Sequence, residues 1–193
     1  MPQLKREATN IRKLALAAVF AAILIAPEIA FAQAQTPAPA AVPEAMPWDV
    51  PYGTPIGLDD AHKAIIAAVT EAKKHNWKMS ISVVDPAGML IAHATMDGTQ
   101  YGSIAFSQAK ARTAALFRRP SKVFADVING ANGSPASPAT LSVLGPSQGA
   151  ASEGGPIIKD GKLIGAIGAG GGIATQDGMT AKAGLIALGV PAP

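Results

Sequence analysis

The chain has 193 residues, a formal net charge of +3, 49% apolar residues and no cysteine. The length suits one domain. The missing cysteine excludes disulfides, thiolate metal sites, iron–sulfur clusters and thiol catalysis.

The chain opens with Lys5, Arg6, Arg12 and Lys13, followed by an uninterrupted apolar run from Leu14 to Ala26. Ala30-Phe31-Ala32 then matches a small-x-small cleavage site. Residues 1–32 therefore read as a secretory signal peptide, and an exported, periplasmic or extracellular protein is expected. The run is short for a membrane span, which needs about 20 residues. Without the leader the chain keeps twelve basic and eleven acidic residues, so its charge falls to +1. That balance gives no footing for nucleic acid or an anionic membrane.

Residues 33–57 carry six prolines. Proline lacks a backbone donor and blocks helix, so an extended arm is expected. Trp48 and Tyr52 lie in it. The globular domain is expected over residues 58–190. Leu58, Ala61, Ile65, Ala68, Val69 and Ala72 recur at helical spacing and predict an amphipathic helix over 58–75. Residues 79–84 alternate as a strand, Asp85-Pro-Ala-Gly88 is a turn, and residues 89–96 return as a second strand. Residues 102–117 predict an alanine-rich helix stopped by Pro120, and Ser121 opens a short helix over 122–128. A Gly/Pro/Ser/Asn loop follows over 129–140, with a short strand expected at Leu141–Leu144. Two strands, 155–159 and 162–169, flank Asp160-Gly161, a strong hairpin signal. Thr175 is expected to cap a final helix ending near Leu188. Antiparallel strands and segregated helices predict an α+β fold.

Two motifs suggest chemistry and fail on context. Gly168 and Gly170 start a dinucleotide fingerprint, but position 173 is Ile and the strand belongs to a hairpin. Residues 145–149 match G-x-S-x-G, yet no histidine follows His93 in the chain. No carboxylate pair stands at catalytic spacing. His62 flanks the apolar stripe of the first helix, which predicts a half-buried imidazole. It reads as a core or interface residue, or as an axial ligand to a flat apolar cofactor. His93 falls on a strand face with Ile91 and Thr95; His75 sits at a helix C-terminus, where an imidazolium suits the dipole. Lys110, Arg112, Arg118 and Arg119 cluster along the second helix. They read as a solvated face or as partners for carboxylates.

The segments Leu58-Asp-Asp-Ala61, ISVVDPAGMLIAHATMDG (81–98), KARTAALFRRPS (110–121), GGPIIKDGKLIGAIGAGG (154–171) and QDGMTAKAGLIAL (176–188) occur in an order that resembles the GlcG/HbpS family of haem-binding and haem-degrading domains. The same domain ends some corrinoid adenosyltransferases. The resemblance implies a profilin-like fold with a five-stranded antiparallel sheet, and homo-oligomers. It implies haem as cofactor, with haem breakdown by peroxide and sensing beside membrane-protein partners in exported members. His62 matches the helical-histidine role, with His93 as the other candidate ligand. Lys110, Arg112 and Arg118 would meet the propionates. An oligomeric accessory subunit without haem, or an enzyme acting on a small organic acid, are the alternatives. The loop 129–153 is longer than in relatives, and Gly170-Gly171-Gly172 stands where relatives often have Ser-Gly.

Overall fold

The computed structural model describes residues 44–191, apart from Pro47, Asn132, Ser134 and Pro146. The expected leader and the first part of the arm lie outside the described residues.

Ten short elements follow the arm among the described residues. They are α1 (Leu58–Lys74), β1 (Ser80–Val84), β2 (Leu90–Thr95), α2 (Gly102–Leu116), α3 (Lys122–Asn129), a 3₁₀ turn (Pro138–Thr140), α4 (Leu141–Leu144), β3 (Gly154–Lys159), β4 (Lys162–Gly170) and α5 (Ala174–Ala187). The strands form one antiparallel sheet in the order β2-β1-β4-β3. The α+β expectation holds, but the sheet has four strands among the described residues, not five. One reason lies in the arm. Pro51 and Gly53 exchange backbone hydrogen bonds with Leu163, and Ile56 donates to Ile164. This segment runs parallel to β4 beyond the end of β1, through a single bridge at Tyr52. Two prolines, at 51 and 55, remove donors that a longer ladder would need. The other reason is Leu141–Leu144, which is a helical turn rather than a strand.

Side chains alternate across a strand, and β1 is buried on both faces. Ile81 and Val83 join Ile167 and Ala169 of β4 in the main core, against Ala61, Ala64, Ala68 and Ala72 of α1 and Ala181 and Leu185 of α5. Ser80, Ser82 and Val84 point the other way, toward α2; Val84 and Ala166 form a second small cluster with Ala111, Ala114 and Ala115. The molecule is thus α1 and α5 on one face of the sheet and α2 on the other.

The inward stripe of α2 is largely polar, with Ser103, Ser107, Lys110 and Thr113 buried beside Ala111 and Ala114. Such a helix can approach the sheet closely only where the strands are bare. A Cβ on Gly168 would collide with the Ser107 carbonyl oxygen and lie 2.6 Å from the Ala111 nitrogen. A Cβ on Gly165 would instead meet the Val84 carbonyl and Ile56. The two glycines open opposite faces of β4. The hairpin between β3 and β4 turns on Asp160 (φ 50) and Gly161 (φ 71), the left-handed pair of a two-residue type I′ turn. Thr175 does not cap α5 but lies in its first turn: the helix begins at Ala174, Ile173 is the extended cap residue, and its N–H donates to Gln176 Oε1.

Candidate functional site

The predicted site residues do not converge. His62 is on α1, one side of the sheet. His93 faces the opposite side, and the three basic residues of the 110–118 segment serve three separate purposes.

His93 lies in a chain of hydroxyls. Ser82 pairs with His93 across β1 and β2. Ser82 Oγ is 2.9 Å from His93 Nδ1 and 2.8 Å from Ser107 Oγ on α2. His93 Nε2 is 2.7 Å from Thr95 Oγ1, which is 3.0 Å from Ser80 Oγ. Counting protons orders the chain. Ser107 donates to the Ile104 carbonyl, so Ser82 donates to Ser107. Ser82 must then accept from Nδ1–H of His93. Nε2 is left as the lone-pair nitrogen and accepts from Thr95, to which Ser80 donates. A neutral imidazole satisfies every contact. A second ring proton would make Thr95 Oγ1 accept from both the ring and Ser80, and would leave the Thr95 hydroxyl proton without a partner in this network. Burial lowers the His93 pKa below its ordinary value, in the same sense. The expected strand face with Ile91 is not observed. A bulge at Val83/Val84 breaks the register, and Ile91 packs against the main core.

Lys110 is not on a solvated face. It has no exposed surface, and its Nζ is 2.5 Å from Asp177 Oδ2 on α5. The ammonium also stands 4.3 Å from the Phe106 ring centroid. Asp177 Oδ1 accepts from the Gly172 N–H. Burial lowers the Lys110 pKa, with Asp177 pulling the other way. This ammonium is not available to a propionate. Arg112 donates to the Gly88 carbonyl and to Gln148 Oε1. Arg118 donates to the Val50 carbonyl at 2.9 Å, lies 3.5 Å from Asp49 Oδ1, and stands 5.3 Å from the Tyr52 ring. Arg119 stands 5.5 Å from Trp48 and 4.9 Å from Phe124. The arginines therefore hold the arm and loops. The two arm aromatics dock on their own domain. His75 takes its expected place at the end of α1, 3.2 Å from Glu71 Oε1 and stacked on Trp77.

His62 is exposed rather than half-buried. Four residues before it is Leu58, 53% exposed, and four after it is Ile66, 65% exposed. Spacing of four places all three on one face of α1. His62 has no hydrogen-bond partner among the described residues. An apolar–imidazole–apolar stripe of this kind offers a ligating nitrogen with aliphatic flanks for a flat macrocycle.

The family model for HbpS-like haem-degrading proteins matches residues 56–186 of this sequence. The chain belongs to the HbpS-like family. GlcG of Escherichia coli strain K12 is 42% identical over 106 residues, which are 54% of this chain and 74% of GlcG. Among solved structures, a double mutant of Streptomyces reticuli HbpS superposes with a TM-score of 0.62 at 27% identity, covering 78% of this chain and 99% of that one. The PduOC:haem complex superposes with a TM-score of 0.64 at 24% identity, over 72% and 99% of the two chains. That second likeness concerns the fold alone. The matched span of the HbpS-like domain includes both candidate histidines and the Lys110–Asp177 pair. Asp177 does not stand out in the sequence because it is 67 residues from its partner. Its only local signal is an acid in the first turn of a predicted helix.

Proposed function

We propose that the protein is exported and binds haem, with His62 as the axial ligand. The carrying observation is the α1 stripe, where an imidazole free of other partners among the described residues stands between exposed Leu58 and Ile66. Family membership supports the same reading. His93 is the weaker ligand: its Nε2 has the correct tautomer, but Thr95 caps it and ligation would cost that hydrogen bond. When bound, haem supplies an iron centre reactive toward peroxide, which is the chemistry a haem-degrading family would draw on.

The stripe is a convex helix face, so one protomer covers one side of a flat ligand at most. A second copy of the chain would cover the other, which is why we read the protein as a homo-oligomer. Lys63, next to His62, is exposed and has no ion-pair partner among the described residues; it is the cation placed to meet a propionate. Hemin titration of the mature chain tests the reading. A saturable Soret shift in wild type that is lost in His62→Ala and retained in His93→Ala is expected. No saturable shift in wild type would refute it.

A further inference from the structure

Charged residues around the start of α5 are mostly matched in pairs. Lys110 meets Asp177, and Lys122 Nζ lies 2.5 Å from Asp126 Oδ1. Glu153 and Lys182 are left over: neither has a hydrogen-bond or ion-pair partner among the described residues. Both line one cleft of about 320 Å³ between β3, the turn at Pro120 and α5. That volume is in the range of small-molecule sites, which begins at about 300 Å³.

The two groups flank one stretch of α5, and Lys122 lines the same cleft. The Glu153 side chain lies over Gly178, where a Cβ would come within 3.0 Å of Oε2. Lys182 is four residues further along α5, about 6 Å along the helix axis. Between and beside them are the Thr175 hydroxyl and the apolar side chains of Met179 and Leu185. Burial raises the Glu153 pKa. Lys122 and Lys110 pull it down, while Asp126 and Asp177 add like charge. A half-buried acid without a partner is an unfavourable arrangement that a bound cation relieves.

We propose that this cleft binds a small zwitterion of the α-amino-acid class with an aliphatic side chain. The ammonium meets Glu153, the carboxylate meets Lys182 and the Thr175 hydroxyl, and the aliphatic part lies against Met179 and Leu185. A dicarboxylate would set like charge against Glu153. A simple amine would leave Lys182 unused. The site is separate from the α1 stripe and does not depend on haem.

Calorimetric titration of the mature chain with L-leucine tests this, with 4-methylpentanoate and 3-methylbutylamine as single-charge probes. Saturable leucine binding is expected, with each single-charge probe weaker by about tenfold or more, the factor for about 1.4 kcal/mol. Glu153→Gln and Lys182→Met should each weaken leucine by a similar factor. Lys182 is exposed, so its variant keeps the fold even if Glu153→Gln does not. Leucine affinity should fall as pH drops and Glu153 takes up a proton. Absence of saturable leucine binding at millimolar concentration would overturn the proposal. So would single-charge probes that bind equally well, or unchanged affinity in Lys182→Met.

Discussion

Lys110 Nζ lies 2.5 Å from Asp177 Oδ2, with both side chains shut off from solvent, and this pair ties α2 to the first turn of α5 across the edge of the sheet. Removing one member leaves the other charge buried alone. Lys110→Met and Asp177→Asn are each expected to cost about 3–5 kcal/mol. The double variant Lys110→Met/Asp177→Asn should cost clearly less than the sum, because no isolated charge remains. Urea unfolding of the four proteins reads the cycle. Additive losses would show that the two groups do not depend on each other.

Gly168→Ala tests the close seat of α2. The new methyl would collide with the Ser107 carbonyl and sit 2.6 Å from the Ala111 nitrogen, both helix backbone. Backbone cannot swing aside like a side chain, so the loss should reach or exceed the roughly 1–3 kcal/mol of ordinary overpacking. Gly102→Ala, at the first residue of α2, where a Cβ meets nothing within 4 Å, is the control and should not destabilise the fold. Equal midpoints for the two variants would contradict the packing described.

Much of the fold is legible in the amino-acid sequence. The apolar spacing of Ala61, Ile65, Ala68 and Ala72 places α1 to within a residue, because that face is the one that packs. Asp160-Gly161 marks its hairpin because few residues accept two left-handed conformations in succession. Other features are not legible. Leu141–Leu144 has the apolar content of a short strand, and four residues are too few for periodicity to separate strand from helix. Lys110 reads as a surface cation since its partner is distant in sequence. His62 reads as half-buried because it borders the apolar stripe of α1, and only packing reveals which side of that border faces water. The hydroxyl chain around His93 is hidden for the same reason: Ser82, Ser107 and Thr95 come from three elements.

The His93 network predicts a pH dependence. Its folded pKa is depressed below its unfolded value, so the folded state favours the neutral ring. Stability from this group is complete above the unfolded histidine pKa, about 6.5. It is lost as pH falls from there through the lower folded pKa. Thermal melts between pH 7.5 and 5 should show a decline in wild type that is smaller in His93→Asn. Parallel declines would assign the effect to other groups.

The arm is fastened by Arg118, whose guanidinium reaches the Val50 carbonyl and the Tyr52 ring. These contacts are partly exposed, so Arg118→Ala should cost only about 1 kcal/mol or less in global stability. Local opening should respond more strongly. Limited proteolysis ought to cut between Trp48 and Gly57 faster in the variant, at unchanged sites in the domain. An unaltered cleavage rate there would mean that backbone pairing to Leu163 alone holds the segment.

Haem ligation by His62 on α1 is the central claim. Its most direct measurement is the Soret spectrum of the protein with one equivalent of hemin, wild type against His62→Ala. His62 is exposed and has no hydrogen-bond partner among the described residues, so the variant should fold normally. A ligated Soret band is expected in wild type, collapsing toward that of free hemin in the variant. A band identical in both proteins would contradict ligation by His62.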